Sequence, residues 1–160
     1  IFFEILYNIF TQMGVEITQK IAKSAVGFSI LKVDRLKDKV YDKDIATSFE
    51  GETGPYIEYT YARTNSILKK AKEIEFDENV DYSLLPLDDI FPVVKSINNI
   101  ENTINLAFIK KEPSILCREI ILIAKNFNKF YNEHKVIDLN NLNKTKAMCK
   151  FVNAVKNNVK

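Results

Sequence analysis

Apolar positions recur at helical spacing along most of this chain. From Tyr56 on, at about 100° per residue, Ile57, Tyr61, Thr64, Leu68 and Ala71 share one face. Tyr56, Tyr59, Arg63 and Lys70 line up at its edge. The longest clear helix runs from Glu112 to about His134. Leu116, Ile120, Ile123, Ala124, Phe127, Phe130 and Tyr131 form its broad apolar face. Its opposite flank carries Arg118, Lys125, Lys129 and Asn132 within about 60° of one another. In a last helix Met148, Phe151, Val152, Val155 and Val159 face one way, and Lys146, Lys150, Asn153 and Asn157 another. That pattern still runs at Lys160, and its apolar face, whose residues need partners, is expected to be left uncovered, with a loose end or self-association through it.

Elsewhere the pattern is shorter. Residues 1–30 read as one or two helices, with Ile17, Ile21 and Ala25 spaced by fours and Ala22 and Val26 adjoining. The run from Gly27 to Leu31 fits either a helix end or a short strand. Ile45 to Phe49 reads as a short helix. Val93, Val94 and Ile97 belong to one helix, and Ile100, Ile104, Ala107 and Phe108 to a second beyond a bend near Asn98-Asn99. Glu73 to Leu85 is acidic and reads as a loop with at most one helical turn.

Punctuation supports these boundaries. Gly54 serves as a permissive N-cap, with Pro55 at the first helical position, where its missing N–H costs nothing. Pro86 and Asp88 mark another start, with Pro92 placed in a first turn. Pro113 opens the long helix, and Asp138, Asn140 or Asn141 caps the last one. The fold class is all-α, a bundle of about four or five helices.

The 160 residues suit one domain, or one domain plus a piece of another, and the 46% apolar fraction is ordinary for a globular protein. Cys117 and Cys149 lie far apart without metal-ligand spacing, which makes a reducing compartment the default. Ile1 to Phe10 is apolar, but Glu4 and Asn8 interrupt it, and it is too short to span a bilayer. The first residue is not methionine, as expected of a piece of a longer chain.

Net charge is only +2, yet unevenly spread. Residues 51–112 hold 7 Lys/Arg against 11 Asp/Glu, and residues 113–160 hold 9 against 3. One end thus suits a polyanion, although a solvated lysine surface has the same composition. Lysine outnumbers arginine 20 to 3 and asparagine is abundant, the bias of an AT-rich genome. Arg35, Arg63 and Arg118 stand out against it, because a planar fork differs chemically from a point charge.

No catalytic constellation can be assembled from these residues, and no metal-ligating set stands out. The single histidine, His134, ends a helix, where it can cap carbonyls, favour the negative helix end or touch RNA. No phosphate-cradling glycine loop is present. Three places have the chemistry to read RNA. The stripe of Tyr56, Tyr59 and Arg63 offers aromatic and guanidinium planes for loop bases, or equally a boundary packed under a neighbouring helix. Tyr131 belongs by spacing to the core face, and a tyrosine can bury its ring while exposing its tip. The flank of Arg118, Lys125 and Lys129 offers phosphate contacts, or a solvated helix face.

The string Ser48-Phe-Glu-Gly-Glu-Thr-Gly-Pro-Tyr-x-x-Tyr-Thr-x-Ala-Arg63 resembles the segment of arginyl-tRNA synthetases where the catalytic domain gives way to the helical anticodon-binding domain. Three earlier stretches, 25–31, 34–38 and 40–42, resemble the last part of that catalytic domain. Residues 112–118 and 124–134 resemble the central helix of the anticodon-binding domain, and the last helix resembles its successor.

The resemblance implies a helical bundle of the class Ia synthetase anticodon-binding type (the DALR type). Residues 1–50 would be a remnant of the end of the catalytic domain and a linker. Residues 51–160 would be the anticodon-binding domain, truncated at its C-terminus. It implies a cytoplasmic protein without membrane contact, with tRNA(Arg) and the parent's catalytic domain as partners. Its tRNA contacts would be Tyr56, Tyr59, Arg63, Arg118, Lys125, Lys129 and Tyr131. Position 58 is glutamate where the family usually has glutamine. ATP and Mg would serve the parent only. The HIGH-like and KMSKS-like motifs of such enzymes are not found here, so these residues alone are expected not to activate arginine. The competing expectation, from the helical pattern alone, is a protein-interaction or assembly module without RNA.

Overall fold

The computed structural model describes residues 15–72 and 79–160, except for the side chains of 15–18. The expectations placed on residues 1–14, on Ile17 and on the acidic stretch 73–78 lie outside the described residues. Every regular element described is helical: α1 (Val15–Leu31), α2 (Lys43–Ala46), α3 (Gly54–Ala71), a 3₁₀ turn (Tyr82–Leu84), α4 (Leu87–Lys110), α5 (Ser114–Glu133) and α6 (Leu142–Asn158). The run from Gly27 to Leu31 is therefore a helix end and not a strand. The short helix expected at Ile45–Phe49 lies two residues earlier, where Asp42 caps it by accepting a hydrogen bond from the Ile45 N–H.

α3 starts on a different cap from the one expected. Thr53, not Gly54, is the N-cap, and its hydroxyl accepts the Tyr56 N–H at 3.1 Å and donates to the Ser48 carbonyl at 2.6 Å. Threonine offers the side-chain acceptor that glycine lacks. Gly54 has another reason to be glycine. A Cβ there would sit 2.4 Å from the Ser24 carbonyl oxygen, so α3 begins with its backbone against that of α1. The most deeply buried line of α3 runs through Thr60, Thr64, Ile67 and Ala71, with Ile57, Tyr61 and Leu68 only partly covered. The threonines can be buried because each hydroxyl donates to a carbonyl of its own helix, Thr60 to Tyr56 and Thr64 to Tyr61.

No bend occurs at Asn98-Asn99: α4 is continuous for 24 residues. Pro92 lies inside it rather than in its first turn, and removes one hydrogen bond without ending the helix. Tertiary packing outweighs the low helix propensity of the two asparagines. Ile90, Val93, Ser96 and Thr103 are buried and Ile100 packs against the core, whereas Ile104 is half exposed and Phe108 83% exposed, so the end of the expected stripe does not face the core. The helix stops in a Schellman turn. Lys111 takes the left-handed conformation (φ 50°), its N–H reaches the Phe108 carbonyl, and that of Glu112 reaches Ala107. Pro113 follows, and α5 returns antiparallel along α4 in the most extensive helix contact of the structure.

The core gathers Ile67 of α3, Ile90 and Val93 of α4, Ile123, Phe127 and Phe130 of α5, and Met148, Phe151, Val152 and Val155 of α6. Phe130 meets Phe151 edge to face at 5.0 Å. The α6 face expected to be uncovered is therefore covered: Met148, Phe151, Val152, Val155 and Val159 are all buried, under α3, α4, α5 and the 3₁₀ turn. Asn141 caps α6 by accepting the Lys144 N–H. Lys146, expected on the polar face, is buried. On α5 the expected Leu116 and Ile120 are only partly covered, and Cys117 and Ile121 are buried instead. Both cysteines are free and buried, and burial pushes both thiols up.

Candidate nucleic-acid interface

α3 and α5 meet at a buried asparagine. Asn128 is 7% exposed, and its Nδ2 donates to Thr60 Oγ1 at 2.8 Å. Its Oδ1 accepts from Arg63 Nη1 at 2.6 Å. The other terminal nitrogen of Arg63 donates to the Tyr59 hydroxyl. The guanidinium carbon lies 4.6 Å from the centroid of the Tyr59 ring and 4.5 Å from that of Tyr131. A cation at these distances is attracted by the negative face of each ring. The fork also matches the asparagine oxygen and the phenol at once, which a lysine would not.

The structure thus joins two sites that spacing had kept apart. Tyr131 shares one arrangement with Tyr59 and Arg63, while its ring also lies 6.3 Å from Phe127 of the core. Tyr131 packs against the core as its spacing expects, and the same ring faces Arg63. Tyr56 does not enter this stack. It is half-buried one turn nearer the start of α3, its carbonyl accepting from Thr60.

Beside the stack an open cleft of about 880 Å³ lies between α3 and the connection from α5 to α6. Arg63 and Lys70 line it from α3, Tyr131, His134 and Lys135 from the other wall, with Val136 and Ile137 among its apolar lining. No carboxylate lines it. Lys135 is 3.5 Å from Asp138 Oδ1, an exposed pair that a phosphate can replace; an aromatic face, an apolar floor and nearby cations are what unstacked bases and their phosphates require. Neither Lys135 nor Ser66, which also lines the cleft, stands out in the sequence pattern. The available signal for Lys135 was its place four residues after Tyr131, just past the helix end.

His134 ends α5 and stacks on Phe130 at 4.8 Å, with its Nε2 2.9 Å from Asp89 Oδ2 in the first turn of α4. The pair joins the negative end of one helix to the positive end of its antiparallel neighbour. Glu133 brings a third potential ligand atom within 4.8 Å of these two. Both carboxylates are exposed, and the His134–Asp89 contact explains the group without a cation.

The basic flank of α5 divides. Arg118 donates to Ser114 Oγ at 3.2 Å, and Lys125 Nζ is 2.7 Å from Glu52 Oε1. Both line a second hollow, about 290 Å³, between the end of α1 and α5. The Lys125 hydrogen bond holds the Glu52 carboxyl below its usual range, aided by the charges of Lys125 and Lys32 against a smaller opposing effect of burial. Lys129 does not line this hollow and is exposed.

Near that hollow, Glu112 ties the N-terminal segment to the bundle. Its carboxylate accepts the Ser114 N–H and the Arg35 N–H, each at 3.2 Å, with the Arg35 guanidinium 4.0 Å away. The bond to Ser114, then those to the Arg35 and Ser114 N–H groups, lower its pKa against the cost of desolvation.

Among the described residues no helix is long and apolar enough to cross a membrane. Known proteins resemble this chain over most of its length. It is 52% identical to the arginine–tRNA ligase of Clostridium beijerinckii over 124 residues, 78% of this chain and 22% of that protein. It is 46% identical to the arginine–tRNA ligase of Clostridium kluyveri over 133 residues, 82% of this chain and 24% of that one. The solved arginyl-tRNA synthetase of Thermus thermophilus matches 87% of this chain and 24% of its own with a TM-score of 0.76; at 23% identity that likeness is one of fold. The chain spans under a quarter of the length of these relatives. The family described as the DALR anticodon binding domain matches residues 57–160, well over half the chain and all of α4, α5 and α6, and this chain belongs to it.

Proposed function

We propose that this chain is part of an arginine–tRNA ligase, in which it holds the anticodon stem-loop of tRNA(Arg) and so positions the tRNA for arginylation by the catalytic domain. The observation that carries the reading is the Tyr59–Arg63–Tyr131 stack at the edge of a cleft with three cations and no carboxylate. Loop bases stack on Tyr59 and Tyr131, with Tyr56 beside them, and phosphates meet Lys70 and Lys135. Arg118, Lys125 and Lys129 face the stem. Arg63 is already engaged with Asn128 and Tyr59, so its main part is to hold the two rings. Residues 1–50 are a remnant of the end of the catalytic domain and a linker. ATP and Mg belong to the rest of that domain, in a protein of the cytoplasm, and the chemistry they supply is activation of arginine.

The test is titration of the chain with a tRNA(Arg) anticodon stem-loop and with the same stem carrying an unrelated loop. The cognate loop binds more tightly, and Tyr131→Ala removes the preference. Arginine-dependent ATP–pyrophosphate exchange by the chain alone stays at the no-protein level. Failure to bind either RNA at low salt would overturn the reading in favour of a protein-interaction module.

A further inference from the structure

The hollow between α1 and α5 lies apart from the aromatic stack and is lined by three cations. Lys32 comes from the turn after α1, and Arg118 and Lys125 from α5, seven residues or two turns apart. One acidic side chain lines the hollow with them. Glu52 lies in the loop before α3, with Oε1 2.7 Å from Lys125 Nζ and its carbonyl oxygen accepting from Lys32 Nζ at 2.8 Å. Phe28, Ile121 and Leu122 line the remaining wall.

An isolated carboxylate among three cations leaves an excess of two positive charges. The Glu52–Lys125 pair is half exposed on both sides, at 57% and 46%, and such pairs are weak enough to exchange partners. A carboxylate and a phosphodiester present similar anionic oxygens to a lysine or an arginine. The apolar wall suits the C–H face of a ribose.

We propose that this hollow is a phosphodiester-binding site for an RNA backbone, and that Glu52 occupies it in the free protein as a displaceable stand-in for the phosphate. The proposal deepens the RNA-binding reading above and rests on it. It adds Lys32 to the contacts and makes Glu52 a brake on them. RNA binding breaks the Glu52–Lys125 pair, and the freed carboxylate swings into solvent from a loop already exposed at Gly51 and Glu52.

Glu52→Gln in the intact chain tests this, against Glu50→Gln. The control removes the same charge two residues away, at an exposed residue outside the hollow. Each is titrated across salt with the tRNA(Arg) stem-loop and with the stem carrying an unrelated loop, alongside melting curves. Glu52→Gln is expected to bind both hairpins more tightly than Glu50→Gln. Both proteins meet the same phosphates once the carboxylate has left, so the gain is a lower Kd at each salt concentration, with a log–log slope close to that of wild type. Adding Lys125→Gln to Glu52→Gln abolishes the gain. Equal behaviour of the two single variants, with normal wild-type binding, overturns this proposal alone. A gain that survives the loss of Lys125 also overturns it. Absence of RNA binding by wild type and Glu52→Gln alike overturns the parent reading with it. Inorganic phosphate forms the last arm: uptake of phosphate by Glu52→Gln without any gain for RNA assigns the hollow to free phosphate and rejects the backbone.

Discussion

The guanidinium carbon of Arg63, on α3, lies 4.5 Å from the centroid of the Tyr131 ring, on α5. Sixty-eight positions separate the two residues in sequence. Their contact makes one arginine both a strut between helices and the organiser of two stacking surfaces.

Replacing Arg63 therefore acts on folding first. Arg63→Ala removes two cation–ring contacts and strands the Asn128 oxygen, a loss of about 2–4 kcal/mol. Arg63→Lys keeps the charge without the fork and recovers under half of that. Urea unfolding midpoints measure both. A midpoint for Arg63→Ala indistinguishable from wild type would show that the stack contributes nothing to stability.

The two rings act differently from their strut. Tyr59→Ala and Tyr131→Ala each weaken binding of the stem-loop by about 1–3 kcal/mol, the usual loss for a stacking partner. Tyr131→Phe keeps the ring and retains most of the affinity. Binding is compared with melting for each variant. If Tyr131→Ala melts much lower while its folded fraction binds normally, the ring is core only.

Two glycines make an internal comparison. A Cβ on Gly27 meets nothing within 4 Å, whereas one on Gly54 collides with the Ser24 backbone. Gly27→Ala stabilises by about 0.5–1 kcal/mol through chain entropy. Gly54→Ala costs about 1–3 kcal/mol, because the α1 backbone must shift. Thermal unfolding of the pair decides, and equal effects would deny the close approach.

Acid reports on Glu112. Its folded pKa is lowered, first by the hydrogen bond from Ser114, so the stability it contributes is present above the unfolded carboxyl's pKa, about 4.3. That contribution is lost as pH falls through the lowered folded value. Glu112→Gln is expected to be less stable than wild type at neutral pH and to lose less on acidification. Parallel curves for the two proteins from neutral pH down to pH 3 would remove Glu112 from the acid response.

Much of this was legible in local spacing. The later part of the α5 face and the α6 face follow from period alone, because Phe127, Phe130, Met148 and Val152 each repeat within one helix. The stack did not follow, because Arg63 and Tyr131 meet only through the crossing of α3 and α5, and no period within either helix encodes that. The bend expected at Asn98-Asn99 failed because propensity is a weak term beside the packing along α5. Thr53 was passed over for Gly54 because glycine at a helix start also suits a cap. What distinguishes the two is the nearness of Ser24, thirty positions earlier. Burial of Lys146 was hidden by its charge, since a long apolar stem can be covered while the head finds a partner.

The carboxylate of Glu112 holds the Arg35 N–H across 77 positions of sequence, and it does so from the short connection between α4, which ends at Lys110, and α5, which begins at Ser114. These two facts set an order in time. The α4–α5 hairpin closes over a short connection, at little entropic cost, and can form before anything else. Closing the long loop back to residue 35 costs more, although each doubling of length adds only about 0.6 kcal/mol. The glutamate is thus in position before its distant partner arrives. The N-terminal segment is therefore expected to dock last on folding and to detach first on unfolding. Amide exchange will therefore be fastest where α1 and the turn at Arg35 leave the bundle, while the hairpin that received them stays closed.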